Sequence, residues 1–138
     1  MLTRRVSLVL ALLAAPSPGG AGVLAAQRSA PAGWQATPAS VLKGALRSVT
    51  AAQERYRAAH GVYAAAVDRL DVRPEDGIRV EILFAGATGW QAKATHASQP
   101  GRSCVVFVGG LGKVEAPRTD ADREMAGEEG IPLCDRMQ

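Results

Sequence analysis

Between residues 40 and 108 the spacing of apolar side chains switches once, from steps of three and four to steps of two, and this switch limits the fold more than any other feature. Leu42, Ala45, Leu46, Val49, Ala52, Tyr56, Ala59 and Tyr63 follow the first spacing, with Lys43, Arg47, Thr50, Glu54 and Arg57 on the other side, as an amphipathic helix requires. Ser40 is placed as its N-cap and Gly61 as the left-handed residue that ends it. After a loop through Asp71 to Asp76, Ile78, Val80, Ile82 and Phe84 alternate with Arg79 and Glu81, which predicts a strand with Phe84 on its apolar face. Gly86 and Gly89 flank a turn, Trp90, Ala92, Ala94 and His96 alternate with Gln91, Lys93 and Thr95, and Gln99-Pro100-Gly101 leads into a third strand at Ser103 to Val108. Three strands joined by short turns favour an antiparallel meander, and a helix placed before them covers one face.

The N-terminus is organised differently. Arg4 and Arg5 precede the apolar run Val6 to Ala15, then Pro16 to Gly20, then small residues up to Ala26. A positive start, about ten apolar residues and small residues beyond are the three parts of a secretory signal peptide. The run is too short to span a bilayer, which takes about twenty apolar residues, and Pro16 and Pro18 stop a helix from continuing. We therefore expect a signal peptide over 1–26, cleavage after Ala21, Ala25 or Ala26, no membrane span after processing, and a periplasmic or extracellular location. Residues 27–39, rich in Ala, Pro, Ser and Gly, are expected to form a flexible linker, with Trp34 as its one large apolar group.

Export decides how the cysteines are read. Cys104 and Cys134 are the only two, and in an oxidising compartment an even count in a small domain implies a bridge. A metal or redox site fits poorly, because there is no CxxC and both histidines are distant in sequence. The bridge would pin the stretch from Gly109 to Gln138, rich in Gly, Pro and charge, to the third strand. The expected fold is thus α+β: one long N-terminal helix packed on a three- to four-stranded antiparallel sheet, with a disulfide-closed C-terminal loop.

Gln53-Glu54-Arg55-Tyr56, Gly61-Val62-Tyr63, Leu70, the strand Gly89 to Thr95, then Cys104 and Cys134, in that order, resemble the globular head of type IV pilins and secretion pseudopilins. The resemblance covers residues 40–135 and implies a helix ending in a Glu-Tyr and Gly-x-Tyr stretch, packed on an antiparallel sheet, with Glu54, Tyr56, Gly61 and Tyr63 as the motif core. The family's N-terminal prepilin motif is missing: the apolar run precedes the glycines and carries no glutamate. The resemblance therefore implies a pilin-like α+β domain over 40–138 without the helix that builds a filament.

Chemistry is sparse. Gly109-Gly110-Leu111-Gly112-Lys113 is similar to a phosphate loop, but Phe107 stands where its first glycine belongs and Val114 where Ser or Thr would hold magnesium. His96 and Ser98 could form a base and nucleophile, but lie two residues apart at a strand end with no oxyanion donors in view. His60 suits a role at the helix C-terminus. Asp120, Asp122 and Glu124 alternate in a way that can converge on calcium, as some pseudopilins do in a comparable loop, although Arg123 intrudes.

Lys+Arg of 16 against Asp+Glu of 13 gives +3, and removing Arg4 and Arg5 leaves 14 against 13, or +1. That is too little positive excess for phosphate neutralisation, and the arginines are scattered, so nucleic acid is not an expected partner. No cofactor is expected. The leading expectation is an exported structural or interaction module, not an enzyme, that binds a protein partner, among which pilus, secretion-system or cell-envelope components fit the resemblance. Such a module would be monomeric or weakly self-associating alone. The alternative is a secreted small-ligand-binding protein or enzyme with no recognisable motif.

Overall fold

The computed structural model describes residues 35–138. The expected signal peptide, the expected linker up to residue 34 and Trp34 itself lie outside the described residues.

Helix α1 spans Pro38–His60. It starts three residues before the expected position, because Thr37 and not Ser40 is the N-cap. Thr37 Oγ1 accepts from Ser40 N at 3.2 Å, and Pro38 occupies the first turn. Proline there has no amide to leave unpaired and its φ is already helical, so the Thr-Pro pair sets the start. Ser40 falls inside, where its hydroxyl donates to Thr37 O at 2.8 Å. Gly61 ends the helix as expected, at φ 77° with its N–H on Arg57 O at 2.7 Å. Twenty-three residues make a rod about 34 Å long.

Four strands form one antiparallel sheet in the order β1 (Ile78–Ala85), β2 (Gly89–His96), β3 (Ser103–Gly109) and β4 (Leu133–Cys134). A short 3₁₀ turn at Val67–Arg69 lies between α1 and β1. Leu42, Leu46, Val49 and Ala52 are buried against Trp90, Ala92, Ala94, Cys104 and Val106. The alanines of β2 suit a helix lying close over the middle of the sheet. Full burial of Leu42, Leu46 and Val49 contributes about 1.5–3 kcal/mol each, against helix-propensity differences of about 0.7 kcal/mol per residue, so packing holds α1. Ala59, expected on the buried face, is exposed in the last turn, and Tyr63 is buried but lies beyond the helix end.

One face assignment changes. Ile78, Val80 and Ile82 do pack against the core, but the register shifts between Ile82 and Phe84. The extra residue, Leu83, moves Phe84 opposite Gln91 and gives the core position to Ala85, opposite Trp90. A bulge reverses the alternation beyond it, so Phe84 lies on the sheet face away from α1.

That second face is also covered. Ser103, Val105 and Gln91 are buried although they alternate with the helix-facing residues. The segment after β3 returns over them: Asp120 N donates to Ser103 Oγ at 2.9 Å and the Asp120 carboxylate meets Lys93 Nζ at 3.2 Å. Residues 35–138 are therefore layered as helix, sheet and C-terminal loop.

Candidate functional site

The C-terminal loop is the most heavily organised irregular segment. Cys104 and Cys134 face each other across β3 and β4 and form the expected disulfide. The next residue, Asp135, is 2% exposed. Its Oδ2 accepts from Ser103 N at 2.8 Å and Ala121 N at 3.0 Å, and its Oδ1 from Asp122 N at 2.7 Å. Asp135 N donates in turn to Ser103 O at 3.0 Å. Burial pushes this carboxyl up, but the amides of Asp122, Ala121 and Ser103 with the Thr119 hydroxyl outweigh it and hold Asp135 below the usual carboxylate range.

Around this anchor, residues 117–126 fold back on themselves. Thr119 N donates to Glu124 O at 3.0 Å, Ala126 N to Pro117 O at 2.9 Å, and Glu124 N to Thr119 Oγ1 at 3.1 Å. Pro117, Thr119 and Ala126 are buried, while Arg118, Asp122, Arg123 and Glu124 are exposed. Arg123 at the tip has φ 59°, a left-handed conformation that a non-glycine residue keeps only when its surroundings hold it. Backbone groups point inward to fixed partners and charged side chains point outward.

The three carboxylates considered for calcium do not converge. Asp120 engages Lys93, Asp122 Oδ2 accepts from Arg136 N at 3.0 Å, and Glu124 is exposed. Among the described residues no group of three or more His, Cys, Asp or Glu side chains is arranged to hold a metal ion. Asp120 and Asp122 are taken up by different partners, on β2 and after β4, and Glu124 lies past the left-handed turn at Arg123.

Of the four motif-core residues, Glu54, Tyr56, Gly61 and Tyr63, two meet at the helix end, Glu54 and Tyr63, with Arg57 between them. Tyr63 OH donates to Glu54 Oε1 at 3.2 Å and accepts from Arg57 Nη1 at 3.2 Å, while the Arg57 guanidinium lies 5.0 Å from the Tyr63 ring centre. Burial and then Glu54 push the Tyr63 hydroxyl up, against a smaller lowering by Arg57, so it stays protonated to donate. The left-handed turn at Gly61 carries the chain back for this contact. Tyr56 is apart from the cluster, stacked on His60 with ring centres 4.0 Å apart. His60 Nδ1 lies 2.9 Å from Tyr56 O, a last-turn carbonyl, in keeping with its expected place.

Gln53 enters the sequence reading only as part of the helix-end motif, with no role of its own, yet it is buried and clamps the Ala64 backbone: Nε2 donates to Ala64 O at 2.9 Å and Oε1 accepts from Ala64 N at 2.8 Å. The available signal was an amide four residues after Val49, on the apolar stripe.

His96 and Ser98 are brought together, with Ser98 Oγ 2.8 Å and Ser98 N 3.1 Å from His96 Nδ1. Both contacts fall on one ring nitrogen and come from one residue, which is a local turn and not a relay. Gly109 packs on the backbone of Thr88 and Gly110 on its side chain, with Gly110 N donating to Thr88 O at 3.0 Å, so the glycines serve a close chain approach. No helix among the described residues is long and apolar enough to cross a membrane. No protein-family model matches this chain, and no curated protein is similar to it in sequence.

Proposed function

We propose that the protein is an exported, pilin-head-like interaction module that presents the loop 117–126 to a protein partner of the cell envelope, a pilus or a secretion apparatus, and does not turn over a substrate. The observation that carries this reading is Asp135. One buried carboxylate takes amides from β3 and from the loop next to the disulfide, so an irregular segment is held in a single shape while Arg118, Asp122, Arg123 and Glu124 stay exposed. Loops fixed on a rigid scaffold are where binding residues concentrate. A pre-shaped loop also loses less conformational freedom on binding, which favours recognition. The order of sequence features at the N-terminus supports export, and the helix-end cluster of Glu54, Arg57 and Tyr63 supports the pilin-like reading.

The test is site-specific photocrosslinking in the producing cells, with the reactive side chain at Arg123 or Glu124 and, as a control, at Arg55 on the exposed face of α1. The expected result is one discrete envelope protein captured from both loop positions and not from Arg55. Capture that is equal at all three positions would refute the loop as the recognition surface.

A further inference from the structure

We infer that the edge of β1 left open among the described residues is a self-recognition site at which two copies pair antiparallel about Val80, joining their sheets. The backbone parity comes first. Ala97 N donates to Gly77 O at 2.8 Å, so Gly77, Arg79 and Glu81 turn their backbone groups toward β2, while Ile78, Val80 and Ile82 turn theirs outward. Ile78 N is taken by Glu75 O at 3.0 Å. Among the described residues, Arg79 to Ala85 have no backbone hydrogen-bond partner beyond β2. An open edge of this kind is a template for another strand.

What selects the occupant is the side-chain pattern of Ile78-Arg79-Val80-Glu81-Ile82, which is self-complementary when run antiparallel about its centre. Val80 then faces Val80 of the second copy and Ile78 faces Ile82, on the face where all three already pack on the core half-buried. On the other face Arg79 falls opposite Glu81 of the second copy, and Glu81 opposite its Arg79. These are the non-hydrogen-bonded positions, where Cα atoms approach to about 4.5 Å and cross-strand charges interact best. Both charges are exposed, and neither has an ion-pair partner among the described residues, because Lys93 beside Glu81 is held by Asp120 and Arg79 lies beside Thr95. The outward groups fit the same register: Val80 N–H reaches Val80 O of the second copy, and Ile82 N–H reaches Ile78 O, each twice by symmetry.

The bulge at Leu83 ends the match, so the contact is short. Interfaces below about 1,200 Å² are typically weak and transient, and a two-fold contact closes as a dimer without growing into a fibre. The strand order β1-β2-β3-β4 puts this edge opposite the one that carries β4 and the disulfide, so pairing leaves the two disulfides at the far ends of a joined sheet and the loop-bearing face of each copy open. The dimer would present two copies of the loop outward.

The test is sedimentation equilibrium of the purified mature protein up to about 1 mM, the range in which a weak, millimolar contact is read. Wild type is expected to show a monomer–dimer equilibrium. Arg79→Glu and Glu81→Arg, each folded by circular dichroism, place like charges opposite one another and should each lose it. Mixing the two variants in equal amounts should restore a dimer, because the first variant carries carboxylates at both positions, the second carries guanidinium groups at both, and every cross-strand pair is then of opposite charge. A wild type that stays monomeric throughout the range, single variants that associate like wild type, or a mixture that stays monomeric would each overturn the inference.

Discussion

Replacing Asp135 with asparagine keeps the side chain's shape and removes only its charge and one acceptor. The Oδ2 position receives Ser103 N and Ala121 N, and the Oδ1 position receives Asp122 N. Asparagine will keep its oxygen where two amides converge, so its NH2 group must face the Asp122 amide, donor against donor. Two retained bonds lose their ionic character, at about 1 kcal/mol each, and the unpaired buried donors cost about 1–3 kcal/mol more. The expected loss is about 3–5 kcal/mol at neutral pH, a large part of the stability of a domain this size. In urea this lowers the unfolding midpoint by about 2 M, for a slope of about 2 kcal/mol per M. The pH dependence supplies a second check. The Asp135 carboxyl is depressed in the folded protein, so its stabilisation is fully present above the unfolded value near 3.8 and is lost as pH falls through the folded one. The gap between wild type and Asp135→Asn should therefore be constant from pH 5 to 7, within about 0.5 kcal/mol, and narrow below about pH 4. Equal urea midpoints at neutral pH, or a gap unchanged in acid, would refute the assignment of Asp135 as an ionised anchor.

Other perturbations test the remaining supports. Cys104→Ala opens the loop between residues 30 apart in sequence and should destabilise by about 3–4 kcal/mol, read as a lower urea midpoint that reduction of the wild type reproduces. Gln53→Leu keeps the helix but leaves Ala64 N–H and C=O buried without partners, which should cost about 2–4 kcal/mol; an unchanged thermal midpoint would show that Gln53 is not a clamp. N-terminal sequencing of the exported protein should begin between Gly22 and Gln27, and a sample that begins at Met1 would end the export reading.

Elements whose signal is local are legible without the structure. Leu42, Leu46, Val49 and Ala52 sit one turn apart, so their common burial follows from helix geometry alone. Gly61 follows from the same logic, since its left-handed φ is a demand of the helix end. The start of α1 is less legible because Thr37 and Ser40 both offer a capping hydroxyl, and Pro38 in the first turn decides between them. Phe84 leaves its expected face for another reason: Ile82 to Ala85 is an unbroken apolar run, and with no alternation left, only pairing with β2 says which residue is extra.

The sequence by itself determined the order of the helix and the first three strands, the core-facing Ile78, Val80 and Ile82 of β1 and the pairing of the only two cysteines, because each depends on neighbours in the chain or on a count. Tertiary structure alone decided that Asp135 would be the anchor and that Asp120, Asp122 and Glu124 would part. The partners of Asp135 come from residues 103, 121 and 122, and nothing near position 135 signals them. A carboxylate is buried only where several donors meet it, and those donors are brought together when the loop closes over the sheet.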